Sequence, residues 1–236
     1  MKIPNTQPLN LTQTLQLLDH LKNQGFEFSY RSGKHQLVIE SKGIQYGKLF
    51  LPWQYQWSEN QKLEPITDFH LAVVAIRSGQ AVCGYFHGEN LINHKVIRAY
   101  MVRKKQGKSQ IKHLKTKGKS RAGSRIRLEE TERFFNQINE RLNEYHAAYP
   151  IDRWGIACSK TLWPYFFGSQ VTPPVDQQSE KLLPLPVHFN LASFEEIQQL
   201  PHILFQSHWL ISNSKDDFLT EWIGNESQKK EWDEDW

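Results

Sequence analysis

The chain has 236 residues, 39% of them hydrophobic, with 8 Trp, 8 Tyr and 13 Phe. That is enough to bury a sizeable core in one large domain or two small ones, and too apolar for global disorder. The net charge is only +4, yet residues 95–128 hold 13 Lys or Arg and no Asp or Glu, so that removing them leaves −9 on the remainder. An acidic body with one basic segment calls for a polyanionic partner, nucleic acid or an anionic membrane.

No apolar run approaches the roughly 18 residues of a membrane span, and residues 1–10 lack the layout of a signal peptide. The two cysteines, Cys83 and Cys158, are far apart and in no metal-ligand spacing. A soluble, reducing, cytoplasmic setting is expected.

Leu11, Leu15, Leu18 and Leu21 recur at helical spacing and predict a helix over 11–24, with Asn10 as N-cap and Gly25 as stop. Phe26, Phe28 and Tyr30 alternate with polar residues. A strand there, another over 36–40 and a third over 44–51 complete a small α+β N-terminal region, residues 1–65. Residues 52–66 read as a connector. Strands over 70–76, 81–87 and 94–102 then form an antiparallel meander, and its last strand runs into the basic segment.

Residues 103–125 show no hydrophobic periodicity and hold Gly107, Gly118 and Gly123. A stretch of that length without regular structure inside a domain is functional or disordered. The pattern then switches. Leu128, Thr131, Phe134 or Phe135, Ile138, Leu142, Tyr145 and Tyr149 predict a long amphipathic helix, with Glu129, Glu130 and Glu132 in its first turns, where carboxylates suit the helix dipole. A strand over 154–158, a short helix over 161–167, an extended stretch over 183–189 and a helix from Ser193 to about Leu200 or Leu204 follow. The sum is a mixed α/β domain over 66–215, with helices flanking a mixed sheet, and an acidic Trp-containing tail over 216–236.

The basic segment contains Lys105-Gln106-Gly107-Lys108-Ser109-Gln110. Glycine lets a backbone turn and approach a ligand closely. Glutamine is an uncharged donor and acceptor that orients a water, a ribose hydroxyl or a carbonyl without acting as a base. That suits catalysis by positioning on an already activated substrate, such as the ester of a peptidyl-tRNA, with surrounding cations gripping the phosphates.

Three lines carry a resemblance: Gly84-Tyr85-Phe86-His87-Gly88, then the run from His94 through Arg103-Lys104-Lys105-Gln106-Gly107 to Gln110, then Lys119-Ser120-Arg121-Ala122-Gly123-Ser124-Arg125-Ile126-Arg127. In order and spacing they resemble the release-factor-like domain of the Vms/ANKZF family, a branch of the eukaryotic and archaeal peptide-chain release factor superfamily. The likeness spans about residues 68–212. Where the family's helix often starts Arg-Arg-Tyr-Asn-Glu, this chain reads Arg127-Leu128-Glu129-Glu130-Thr131.

The resemblance implies an RNase H-like release-factor core in a compact bacterial member, binding at the P site of the large ribosomal subunit. It also implies peptidyl-tRNA hydrolysis, or cleavage of the tRNA near its 3′ CCA end, to free stalled nascent chains. Gln110 and Gly107 match the catalytic motif. Arg103, Lys104, Lys105, Lys108, Lys112, Arg121, Arg125 and Arg127 are expected to bind RNA, and no cofactor or metal is expected. The alternative is a non-catalytic RNA- or ribosome-binding module whose basic loop is an electrostatic clamp.

His87, His94 and His113 flank this region. No carboxylate or second ligand stands at helical or hairpin spacing from them, so they read as surface or RNA-facing residues. Ser159-Lys160 is too common a pair to read as a dyad. Trp53, Trp57, Trp154, Trp163 and Trp209 read as core or interface anchors.

Overall fold

The structure is a computed structural model that describes residues 1–77, 79–99 and 119–211, with the backbone alone described for 119–128 and Ile211. The N-terminal strand β1 (Gln7–Leu9) leads into helix α1 (Leu11–Asn23). Asn10 caps it as expected: its side chain accepts from the Gln13 amide at 2.8 Å, and the Gln13 side chain accepts from the Asn10 amide at 3.0 Å. The buried stripe is Thr14, Leu17, Leu18 and Leu21, while Leu11 and Leu15 stay exposed. The leucines at the start of the pattern belong to the solvent side, since the true i, i+3, i+4, i+7 face begins at Thr14.

Strands β2 (Glu27–Arg31), β3 (Gln36–Ser41) and β4 (Ile44–Phe50) form an antiparallel meander. The sheet is completed by a strand from the far end of the described chain, β12 (Ser207–Ile211), which lies between β1 and β4 in the order β1-β12-β4-β3-β2. Trp209 of β12 is 1% exposed and packs with Leu17, Leu21, Leu37, Ile39 and Leu49. Residues 52–66 hold a two-stranded unit, β5 (Tyr55–Trp57) and β6 (Leu63–Pro65), where the sequence reads only as a connector.

The second sheet runs β11-β10-β7-β8-β9. Here β7 (His70–Arg77), β8 (Gln80–His87) and β9 (Asn90–Arg98) are the expected antiparallel meander, although β9 starts four residues before His94, the expected start. Helix α2 (Lys119–Ala148) then returns the chain to β10 (Arg153–Ala157), which pairs parallel with β7 and with β11 (Leu182–Pro184); the expected short helix, α3 (Trp163–Phe167), lies between β10 and β11. The fold is mixed α/β, as the element order implies.

Strand β7 reads as an unbroken apolar run because both its faces are covered. Ala72, Val74 and Ile76 pack under Phe134, Phe135, Ile138, Leu142 and Tyr145 of α2. Leu71, Val73 and Ala75 pack on the other side against Leu183, Leu185, Ile197, Leu200 and Leu204. The last three come from the end of helix α4 (Phe194–Gln198) through helix α5 (Pro201–Leu204). Gly84 of β8 allows the close approach of α4, since a Cβ there would lie 2.5 Å from Ile197 Cδ1. Pro201 opens α5 at a position where its missing amide costs nothing, so the expected helix from Ser193 is divided into α4 and α5.

His35 in the first sheet gives a stability prediction. It is 1% exposed; its Nε2–H donates to Pro52 O at 3.1 Å, and Nδ1 accepts from the Tyr30 hydroxyl at 2.8 Å. Burial, reinforced by the Arg153 charge, pushes its pKa from 6.5 down to about 3. The folded state therefore refuses a proton that the unfolded chain accepts below pH 6.5, so this contribution is complete above that pH and is lost as pH falls toward 3. Between pH 7 and pH 5 the loss from His35 is about 2 kcal/mol. Urea unfolding at the two pH values checks this: His35→Gln is expected to lose about 2 kcal/mol less than wild type, and equal losses rule the account out.

Candidate RNA-facing site

The basic segment leaves the sheet at the end of β9. There Arg98 stands opposite Gln80, and the Ala99 amide donates to Gly79 O at 2.7 Å. The chain is described again from Lys119, the first residue of α2. Gly107, Gln110, Arg103, Lys104, Lys105, Lys108 and Lys112 lie outside the described residues. Arg121, Arg125 and Arg127 fall on the first turns of α2, where the backbone alone is described.

That helix begins nine residues before Leu128, the expected start. An apolar face marks only the part of a helix that packs, and residues 119–127 carry little apolar pattern. Two consequences follow. Glu129, Glu130 and Glu132 are not in the first turn, so the dipole account of these carboxylates fails; the first turn contains no acid at all. In addition, a 30-residue helix is ~45 Å long, whereas the eight residues of β8 span ~26 Å. The helix is longer than its sheet is tall, and the first core residue of its described side chains is Phe134.

The carboxyl ends of β7, β9, β10 and β11 share one edge of the sheet, because β8 alone runs against them. Open α/β sheets bind ligands at this edge, and the basic segment starts from it. A cleft of about 390 Å³ opens there, with Arg77, Cys158, Ser159 and His188 on its walls. Arg77 Nε donates to Phe189 O at 2.7 Å, and its Nη2 lies 2.5 Å from both ring nitrogens of His188. Sequence reading missed Arg77 and His188; only the parallel pairing of β10 with both β7 and β11 brings their segments together.

Burial disfavours the thiolate form of both cysteines at neutral pH. Burial pushes the Cys158 thiol up to about 11 against the pull of Arg77, and pushes Cys83 up to about 12. Ser159 is an N-cap whose hydroxyl meets Thr161 Oγ1 at 2.8 Å and the Thr161 amide at 3.4 Å, a capping role and not that of a dyad. His94 stacks on Phe194 with ring centroids 4.3 Å apart, and His113 is outside the described residues. His87 does have partners, contrary to the reading from spacing: Asp68 and His70 lie beside it, at the end of the hairpin remote from the basic segment. Trp53, Trp154 and Trp209 are buried anchors, as expected.

The sequence profile of the Bacteroidetes VLRF1 release factor matches residues 71–210, more than half of the chain. The chain belongs to that release-factor family. The matched span covers the meander, the whole basic segment, α2 and the strands that return to the sheet. Among solved structures, one described as the Vms1 mitochondrial localization core aligns with 87% of this chain and 91% of its own, at 10% identity and a TM-score of 0.41. No curated protein matches the chain. None of the helices among the described residues is long and apolar enough to cross a membrane.

Proposed function

We propose that this VLRF1-family chain is a cytoplasmic, ribosome-associated factor of translation quality control. It acts on peptidyl-tRNA held in the P site of the large subunit and frees the stalled nascent chain. The observation that carries the reading is the position of the basic segment. It joins the edge strand β9 to α2, both packed on one core, it leaves β9 from the edge where β7, β10 and β11 also end, and it falls inside the span matched by a release-factor family.

In this reading Gln110 enters the peptidyl-transferase centre. It orients either water against the ester carbonyl or a ribose hydroxyl against the adjacent phosphodiester. Gly107 gives the backbone its close approach. Arg103, Lys104, Lys105, Lys108 and Lys112 grip RNA phosphates around it. Arg121, Arg125 and Arg127 do so from the N-terminal part of α2; of these only Arg121 stands in the first turn, where the helix dipole disfavours a cation and a bound phosphate reverses the penalty.

The experiment compares wild type with Gln110→Ala on stalled peptidyl-tRNA–large-subunit complexes. Loss of chain release with retained binding is expected. Equal release by both proteins removes the catalytic role and leaves the electrostatic clamp. Sequencing the 3′ end of the released tRNA identifies the bond: an intact CCA end means ester hydrolysis, a shortened one means RNA cleavage.

A further inference from the structure

The open end of the β7–β8 hairpin gathers three groups that nothing in the release reading uses. His70 opens β7 and His87 closes β8, and the two stand directly opposite in the antiparallel register. Opposed residues project to the same face, and these rings stack with centroids 4.7 Å apart and planes within 1°. Asp68 sits two residues before β7 at φ 55, in the left-handed region, and its carboxylate meets the Nε2 edge of both rings. Oδ1 lies 2.5 Å from His87 Nε2, and Oδ2 lies 3.2 Å from His70 Nε2. The three donor atoms are all within 4.8 Å of one another.

The surroundings hold this triad in place. The His70 amide donates to Asp152 Oδ2 at 2.7 Å, and the Gly88 amide donates to Phe69 O at 2.9 Å. Behind the donor atoms, His70 Nδ1 lies 2.7 Å from the hydroxyl of Tyr85, which is 2% exposed and stacked on Tyr149 at 3.7 Å.

That hydroxyl matters chemically. A histidine that ligates a cation through Nε2 carries its proton on Nδ1 and needs an acceptor there. A histidine that donates from Nε2 to a carboxylate needs a donor at Nδ1. A tyrosine hydroxyl serves as either, so Tyr85 lets His70 change tautomer without losing its partner. The outer side is open, with the Asp68 side chain 67% and the His87 side chain 49% exposed. Hydrogen bonds from His87, then His70, hold the Asp68 carboxyl below the usual carboxylate range.

We infer that Asp68, His70 and His87 bind one divalent transition-metal cation of the zinc type. Asp68 supplies an oxygen, both histidines supply Nε2, and at least one position is left to water. Two imidazoles and a carboxylate select such a cation over magnesium or calcium, which prefer all-oxygen ligand sets. The site lies at the opposite end of the hairpin from Arg77 and Gln80, ~23 Å along β8 from the edge where the basic segment leaves. It therefore acts apart from the release chemistry: the bound cation clamps the segment before β7 to the end of β8. Sequence reading missed it because 17 residues is no helical spacing, although the hairpin register would have found it.

The test uses the full chain, stripped with chelator and titrated with Co²⁺ followed by visible absorption, with Zn²⁺ as competitor. One Co²⁺ per chain, displaced by Zn²⁺, is expected. Asp68→Asn and His87→Gln are expected to weaken binding by at least about tenfold, and Tyr85→Phe by about tenfold through the second ring nitrogen of His70. Absence of saturable binding, or binding that all three variants leave unchanged, overturns the assignment. Wild-type protein supplies an independent readout. Saturating Zn²⁺ is expected to protect His87 from diethylpyrocarbonate, read by mass spectrometry, and undiminished modification overturns the site without any substitution.

Discussion

Replacing Gln110 by Ala is expected to slow nascent-chain release about a hundredfold, near 2.7 kcal/mol of barrier, while the affinity for large subunits stays unchanged. The separation follows from the division of labour in the basic segment. In the proposed reading, the thirteen cations with no acid among them across residues 95–128 supply attraction to RNA, and one uncharged side chain adds almost nothing to that sum. The role proposed for Gln110 is orientation, and effects of that kind fall on the rate. The converse variant is Arg121→Ala. It is expected to weaken binding and to lower the salt dependence by ~0.7–0.9 in the log–log slope for each phosphate that is no longer neutralised, without a separate effect on turnover. A Gln110 variant that loses binding and release in the same proportion would argue for the clamp instead.

The second large effect is structural. Trp209→Ala is expected to destabilise the chain by about 3–5 kcal/mol, the cost of emptying the site of a large buried aromatic ring. Trp209 is 1% exposed, and β12, which carries it, has partners on both sides: Trp209 is opposite Gln7 of β1 and Leu49 of β4. The ring also fits over Gly47, where a Cβ would lie 2.5 Å from its Cζ2 and Cη2. The site has little room to collapse, because Leu17, Leu21, Leu37, Ile39 and Leu49 are already fixed in the same cluster. Urea unfolding measures the loss, and a change below about 1 kcal/mol contradicts the packing account.

How far these features can be read in the sequence depends on the kind of signal each leaves. Strands β7 and β8 are legible because both faces are buried and their apolar runs are continuous. Helix α1 shows its cap, since Asn10 and Gln13 satisfy each other within three residues. Strand β12 is not legible. Its partners in β1 and β4 stand some 160–200 residues earlier, and no local pattern reports such pairing. The start of α2 is hidden for a different reason: solvated, cation-rich turns leave no apolar face.

The motif around Gly107 and Gln110 is visible as spacing and resemblance. The cleft beside Arg77 and His188 needs the parallel pairing of β7 with β10 before its walls come together. The Asp68–His70–His87 cluster is within reach of the sequence, because the turn that ends β7 fixes which residues face each other at the hairpin's other end.

The insertion of β12 between β1 and β4 also sets a schedule for the chain's own birth. Residues 1–50 leave the ribosome with their sheet split, because the strand that belongs between β1 and β4 has yet to be made. At ~5–20 residues per second, the wait until residue 211 is translated is roughly ten to thirty seconds. During that interval, the β4 edge facing the missing strand stands open to wrong partners. A chain proposed to rescue interrupted synthesis is thus itself vulnerable to interruption: a nascent chain halted before residue 207 has no means of closing its N-terminal sheet.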